Sequence, residues 1–387
     1  MSRWRNFCIT ELADFCNAQR IPLSAMERAH KKGNFPYYGA SGIVDYIDNY
    51  IFDGSYILIS EDGENLKSRK TPIAFEATGK FWVNNHAHVL KAKKPHLTAL
   101  IIQYFSQLDL SPYLTGAAQP KLNKASLNLI PLYLPIDESE QKAIASILSS
   151  LKDKIDLLHC QNKTLESMAE TLFRQWFDVD SNDEWQEKNV LDIFTLVGGG
   201  TPKTSVAEYW TDEIPWISGG DISAAHQGYL YSTEKSISLA GLQNSSAKLL
   251  PKNSTVISAR GTVGKYALLA RDMAFSQSNY GIVSKIGNYP FFIYLLVGFI
   301  VDDLLTAAYG SVFDTITTRT FESVNLKFPS LNSIEKFNEE ISPIFSKKET
   351  NTQQIKTLET LRDTLLPKLM SGEVRVQYAE EAIASVA

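Results

Sequence analysis

Hydrophobic positions along the chain follow two rhythms. Between residues 144 and 172 they recur at alternating spacings of four and three, at Ile144, Leu148, Leu151, Ile155, Leu158, Leu165, Ala169 and Leu172, with Asn162 in the same phase. This heptad seam predicts a helix from about Asp137 to Phe177, ~60 Å long at 1.5 Å per residue. Shifted by 193 residues, the same phase picks out Ile341, Ile344, Lys348, Asn351, Ile355, Leu358, Arg362, Leu365 and Leu369. That second seam is more polar, and Ser342-Pro343 is expected to start or kink it. A narrow stripe suits another helix better than a sheet, so pairing of the two helices is favoured over each packing on its own globular neighbour. Leu148, Leu151, Ile155, Leu158, Asn162 and Leu165 would then meet Ile341, Ile344, Ile355, Leu358 and Leu365, with Asn162 fixing the register at some expense in stability.

The other rhythm is that of short strands. Ser55-Tyr-Ile-Leu-Ile-Ser60, Phe81-Trp-Val-Asn84 and Ser254-Thr-Val-Ile-Ser258 alternate or are rich in β-branched residues, and Gly, Pro and Asn turns separate them. They also repeat. Ile57–Gly63 has its counterpart in Thr255–Gly261, Leu97–Phe105 in Phe291–Phe299, and Leu129–Pro135 in Val324–Pro329, at offsets of about 194 to 198. The expected fold is α/β in the broad (α+β) sense, a tandem pseudo-repeat of two globular domains with two long antiparallel coiled-coil helices. Its parts are a domain at 1–135, a helix at 136–178, a second domain at 179–330, a second helix at 331–376 and a tail at 377–387. The polar stretch Val179-Asp-Ser-Asn-Asp183 marks one boundary.

Composition narrows the class. Of the 387 residues 44% are hydrophobic and 21% charged, which excludes wholesale disorder and a disulfide-dense scaffold. The apolar run Phe291–Val301 stops at Asp302-Asp303, short of the ~20 residues a bilayer helix needs, and reads as a buried core helix. Without an apolar leader, and with only Cys8, Cys16 and Cys160, the chain is expected to be cytoplasmic and reduced, its cysteines small core residues. Net charge is −5 but uneven, +4 over residues 1–135 and negative in the rest, so a nucleic-acid surface would have to be local.

Catalytic patterns are weak. Gly198-Gly-Gly-Thr-Pro-Lys-Thr-Ser205 lacks the spacing of a phosphate-binding loop and reads as a loop or strand-to-turn junction. His86 and His88 share a strand face on paper, without a Cys or acidic partner at ligand spacing, so no metal site is expected. Serine-elbow, zinc-protease and dinucleotide fingerprints are missing. The chain is therefore read as doing no chemistry itself and carrying no cofactor. Recognition fits better, because reading base edges needs Arg, Lys, Asn and Gln on a scaffold, with Ser, Thr and Tyr on phosphates. Each half supplies such a cluster beside glycines. The first has Tyr37, Tyr38, Ser41, Lys67, Arg69, Lys70, Asn84, Asn85 and His86. The second has Lys203, Trp216, Ser218, Asp221, Arg260, Thr262, Gln277, Asn279, Tyr280, Thr318 and Arg319. Taken singly, such polar turns decorate any α/β domain; their duplication in corresponding places is what favours binding. Two rivals stay open, a coiled-coil adaptor whose duplicated domains bind protein and an enzyme using the Gly198 loop on a nucleotide.

These residues resemble the specificity (S) subunit of type I restriction-modification systems, over nearly the whole chain. Gly199-Gly-Thr-Pro202, with Glu208-Tyr-Trp210 and Ile214-Pro-Trp-Ile-Ser-Gly-Gly-Asp-Ile222, is similar to one opening of a target recognition domain, and Pro36-Tyr-Tyr-Gly-Ala-Ser-Gly42 to another. Leu172-Phe-Arg-Gln-Trp-Phe177 and Leu365-Leu-Pro-Lys-Leu-Met-Ser-Gly-Glu-Val374 resemble the ends of the two family helices, the latter most specifically. The resemblance implies two target recognition domains, each reading half of a bipartite double-stranded DNA target, and helices that dock two methyltransferase (M) subunits, with or without restriction (R) subunits. S-adenosylmethionine, for adenine methylation, and ATP with Mg would be used in those partners, and no membrane is involved. The first domain lacks the Gly-Gly-Thr-Pro opening, so the target is expected to be asymmetric.

Overall fold

The computed structural model describes residues 3–116, 119–177, 185–309 and 315–384. It divides into two units, Met1–Asp156 with Lys356–Ala387, and Leu157–Ile355. The boundary read at residues 179–183 lies outside the described residues.

Both long helices form. The first spans Glu138–Trp176, its start capped by Asp137, whose Oδ1 accepts from Ser139 N at 2.9 Å. The second spans Leu331–Met370 and opens under Ser330, whose Oγ accepts from Ser333 N at 3.2 Å. It ends at Gly372, whose φ of +75° suits glycine and whose N–H returns to Leu369 O. Of the two roles expected for Ser342-Pro343, the start is not met, since the helix already begins at Leu331. Ile334, Phe337 and Ile341 extend the buried face upstream and hold the helix through Pro343 by packing.

In the second unit the helical stretches run antiparallel, since rising positions on one meet falling positions on the other. Asn162 bonds Asn351, Glu166 pairs with Lys348, and Phe173 lies edge-on to Phe337 with ring centroids 5.8 Å apart. Leu158, Ile341 and Ile355 are buried there, while Leu165 and Ile344 are half-buried. In the first unit Leu148 shares one core with Leu366 and Met370, and Leu151, Ile155, Leu358 and Leu365 are buried. The helices also pack on the neighbouring domain of each unit. Phe173 and Phe177 join the core built around the helix Pro290–Tyr309, and Ile144 joins that built around Pro95–Gln107.

The pseudo-repeat is reproduced in the order of the strands. The first unit's main sheet has the order Ala13–Phe15, Ala87–Ala92, Tyr56–Ser60, Ala74–Ala77. The second unit's runs Phe194–Gly198, Asn279–Ser284, Thr255–Ser258, Tyr266–Leu269, and adds Tyr229–Leu230 at its edge. A smaller sheet in each contains one parallel pair. Lys32–Gly39 runs beside Lys80–Val83 with Tyr37 opposite Trp82, and Ile214–Ile217 beside Met273–Phe275 with Trp216 opposite Ala274. An antiparallel ribbon, Trp4–Phe7 with Leu132–Pro135 or Gln186–Asn189 with Asn325–Phe328, precedes each long helix.

Two further expectations are corrected. Cys8 and Cys160 are exposed and so are not core residues, whereas Cys16 is half-buried against the core around Phe52 and Phe81. The apolar run continues past Asp302-Asp303 into a 20-residue helix, Pro290–Tyr309, which is long and apolar enough to cross a bilayer by length and composition. Here Phe292–Val297, Ile300, Leu304 and Ala308 are buried in the protein core, and the two carboxylates occupy less buried positions between them.

Candidate nucleic-acid interface

Three backbone hydrogen bonds gather the same loops at one edge of each unit. In the first, Asn84 N donates to Tyr38 O at 3.0 Å, Glu61 N to His86 O at 2.9 Å, and Leu122 N to Glu61 O at 2.8 Å. In the second, the equivalents are Ser276 N to Ile217 O at 2.9 Å, Ala259 N to Ser278 O at 2.9 Å, and Ile316 N to Ala259 O at 3.1 Å. The parallel pair sends two strands out at one end, the central strand of the main sheet ends beside them, and the segment before the short helix Lys124–Leu129 or Thr318–Glu322 closes the group. Loops on so rigid a support are where binding residues are expected.

In the first unit this edge brings together Ser41, Asn84, Asn85 and His86. His86 Nδ1 stands 2.9 Å from both carboxylate oxygens of Asp62, and Asn84 Oδ1 accepts from His86 N at 2.8 Å. Underneath, Arg20 Nη1 reaches Glu61 Oε2 and Ala87 O, each at 2.7 Å. Burial alone would raise the Glu61 pKa, but the Arg20 hydrogen bond and nearby positive charge hold it below the usual value. His88 is buried, with Nε2 2.7 Å from Leu122 O and Nδ1 2.9 Å from Asn17 Nδ2. Those partners select the neutral ring that donates from Nε2, and burial pulls its pKa down. His86 and His88 therefore do not share a strand face. His86 stands in a turn and His88 inside, and among the described residues no cluster of His, Cys, Asp or Glu could hold a metal.

Three other first-unit candidates, Tyr37, Tyr38 and Arg69, support the fold instead. Tyr37 is buried against Ile47 and Trp82, and its hydroxyl accepts from Leu23 N at 2.9 Å. Tyr38 is half-buried, edge-on to Phe81. Arg69, at φ +51°, donates to Phe105 O, Ser106 O and Leu108 O at 2.7–3.0 Å and so satisfies the end of the helix Pro95–Gln107. Lys67 and Lys70 are exposed, on and just after the short helix Asn65–Ser68.

In the second unit Arg260, Thr262, Gln277, Thr318 and Arg319 are exposed on the loop cluster. Thr262 Oγ1 donates to Gly219 O at 3.3 Å, and Thr201 Oγ1 bonds the Gln277 amide. No hydrogen bond or ion pair among the described residues engages the Arg260 or Arg319 guanidinium, and both flank the bonded pair Ala259–Ile316. Lys203 is exposed two residues beyond Thr201. Five candidates are structural. Trp216 is buried and donates to Gly200 O at 2.9 Å, and buried Asn279 donates to Ser276 Oγ at 2.9 Å. Ser218 caps the helix Gly219–Ala224 in a box with Asp221. Tyr280 is half-buried, edge-on to Phe321. The Gly198 loop is a close-packed junction: a β-carbon on Gly199 would lie 2.3 Å from Ser276 O, and one on Gly200 2.3 Å from Ser246.

Asp62 and Val44 are not among the sequence candidates. Asp62 takes the place of Arg260 at the repeat offset, so the repeat points to it. Val44, an apolar residue, falls outside any search for polar clusters.

The model of the family described as type I restriction modification DNA specificity domain matches residues 1–167 and 182–360. The MjaIX specificity subunit of Methanocaldococcus jannaschii is 24% identical over 383 residues, covering 89% of this chain and 88% of that protein. A type I restriction enzyme specificity subunit of Haemophilus influenzae is 37% identical over 143 residues, which are 37% of this chain and 36% of that protein. The crystal structure of a type I restriction-modification S subunit from M. genitalium superposes with a TM-score of 0.63 at 13% identity, over 95% of this chain and 96% of that one, which shows a shared fold.

Proposed function

The chain belongs to the type I restriction-modification DNA specificity family, and from that premise we propose that each unit reads one half of a bipartite duplex DNA target through its loop cluster. The chain is the non-catalytic member of its complex. Adenine methylation from S-adenosylmethionine then belongs to two docked methyltransferase subunits, and ATP-dependent cleavage to a restriction subunit where one joins. One observation carries this reading: the same three backbone hydrogen bonds build the loop cluster twice, while the side chains displayed on it differ. Where the first unit offers Asp62, Asn85 and His86, the second offers Arg260, Gln277 and Ser278. A duplicated frame with unlike contents suits two unlike half-sites, hence an asymmetric target.

Arg260 has the reach and freedom to pair with guanine O6 and N7, the commonest specific contact of arginine in a major groove. With a net charge of −5 on the chain, much of the phosphate neutralisation falls to the partner subunits, so binding by the chain alone is modest and steeply salt-dependent. Methylome sequencing of cells carrying the chain with its methyltransferase tests the reading. Arg260→Ala relaxes one base position in one half-site only, at about 1–3 kcal/mol. Equal weakening on all sequences would refute base reading by this residue.

A further inference from the structure

The strand Gly42–Ile47 lies at the edge of the smaller sheet of the first unit and forms a two-stranded ribbon with Lys32–Gly39. Ile43 faces Tyr38 and Asp45 faces Tyr37, which leaves Val44 as an unpaired bulge residue. A bulge re-aims a side chain. Here it leaves Val44 58% exposed, an apolar group in water beside polar loops.

Gly39 shows where that side chain goes. A β-carbon there would lie 2.7 Å from Val44 Cγ2 and 3.4 Å from Asn84 Nδ2. The absent side chain thus leaves room for a methyl group and an amide to stand together at the edge of the loop cluster. The Asn84 amide has a fixed orientation, because its Oδ1 accepts from His86 N at 2.8 Å. Its Nδ2 is the free end, with no acceptor among the described residues. The site therefore presents one apolar group and one hydrogen-bond donor.

Among the bases, thymine alone displays a C5-methyl beside the O4 acceptor on its major-groove edge, and beyond the Tyr38–Val83 pair only the hairpin of Lys32–Gly39 and Gly42–Ile47 continues, a two-stranded tip narrow enough to enter that groove. We propose that Val44 and Asn84 together read a thymine in the half-site of the first unit, Val44 against the C5-methyl and Asn84 Nδ2 on O4. The pairing is particular to this unit. Its counterpart in the second unit has Glu234 leading into the edge strand Lys235–Ile237 and buried Ser276 in place of Asn84. The inference rests on the reading that each loop cluster contacts DNA, and it adds the base and the atoms.

The test uses the full chain assembled with its methyltransferase subunits and duplexes carrying the target defined by the methylome. The half-site of the first unit is the one whose base preference shifts in an Asn85→Ala, His86→Ala variant. Each thymine is then replaced by deoxyuridine, which removes the C5-methyl and leaves O4 and base pairing intact. One position in that half-site should lose about fourfold in affinity, as expected for one methyl group withdrawn from contact. Val44→Ala should bind the thymine and uracil duplexes alike, and the second half-site should ignore the change. A wild-type complex indifferent to uracil throughout that half-site overturns the proposal, as does a uracil penalty that persists in Val44→Ala. So does a Val44→Ala variant whose only defect is assembly with the methyltransferase, which would make this surface a protein contact. The underlying reading fails differently: the Asn85→Ala, His86→Ala variant would then shift neither half-site.

Discussion

Asn351 Nδ2 donates to Asn162 Oδ1 at 3.0 Å between antiparallel helices of the second unit, and Asn162 Nδ2 in turn donates to Thr352 Oγ1 at 3.0 Å. Asn351 also donates to Gln161 Oε1 at 3.2 Å, while its own Oδ1 is buried and has no partner among the described residues. A polar pair inside an apolar seam favours one alignment, since sliding the helices by a turn would bury both amides against hydrocarbon.

Replacing both asparagines by leucine should raise the unfolding midpoint in urea while loosening helix register. Asn162→Leu alone leaves the Asn351 amide with Gln161 as its one acceptor and should destabilise the chain by about 0.5–1.5 kcal/mol. A double-mutant cycle checks this: a coupling energy near zero would mean that the pair does not act as a unit.

The pair Lys348–Glu166 is nearer the core. Both residues are buried, Tyr294 Oη donates to Glu166 Oε1 at 2.9 Å, and Lys348 Nζ lies 3.3 Å from Gln227 O. Lys348→Met leaves an uncompensated carboxylate and should cost about 3–5 kcal/mol, whereas adding Glu166→Leu should recover most of that loss. Urea unfolding of the two variants measures the difference. A double variant as unstable as the single one would show that packing, not charge, is at stake.

These polar seam positions explain how far the sequence could be read. Alternating spacings of four and three locate the first long helix to within a residue at either end, because a buried stripe on a long helix leaves few other patterns. In the second helix Lys348 and Asn351 looked like weaknesses; their partners Glu166 and Asn162 come from the other helix, so only the paired structure makes sense of them. Similarly, the repeat offset matched the central strands Tyr56–Ser60 and Thr255–Ser258 directly, since both fill the same place in a sheet. Side-chain roles were harder to read. Tyr37, Trp216 and Asn279 look in sequence like surface recognition residues, but parallel pairing and sheet closure turn them inward. Arg69 looks like a phosphate ligand until the end of Pro95–Gln107 arrives beside it from 36 to 39 residues away.

His88 gives the first unit a pH dependence with a definite sign. Burial holds its folded pKa below the ordinary 6.5, so above pH 6.5 the ring is neutral in both states and its contribution is complete. As pH falls through 6.5 the unfolded chain takes up a proton that the folded one does not, and stability drops until the folded pKa is reached. The depressed Glu61 carboxyl contributes stability that is lost as pH falls below its ordinary 4.5. His88→Gln should flatten the midpoint-against-pH curve just below 6.5 and leave the acid limb. An unchanged curve would place the titration elsewhere.

The lengths of the helices, 39 and 40 residues, suggest a role in setting the gap between half-sites. Both are continuous across the boundary between units, one at Asp156/Leu157 and the other at Ile355/Lys356, so residues can be added there without cutting either core. Inserting seven residues at both points preserves the seam phase and adds ~10 Å of helix. That length is close to three base pairs at 3.4 Å each. The methylome of the variant should show unchanged half-sites separated by a gap about three base pairs longer. Altered half-site bases with the original gap would reject the helices as the spacer, and would place the spacing in the partner subunits.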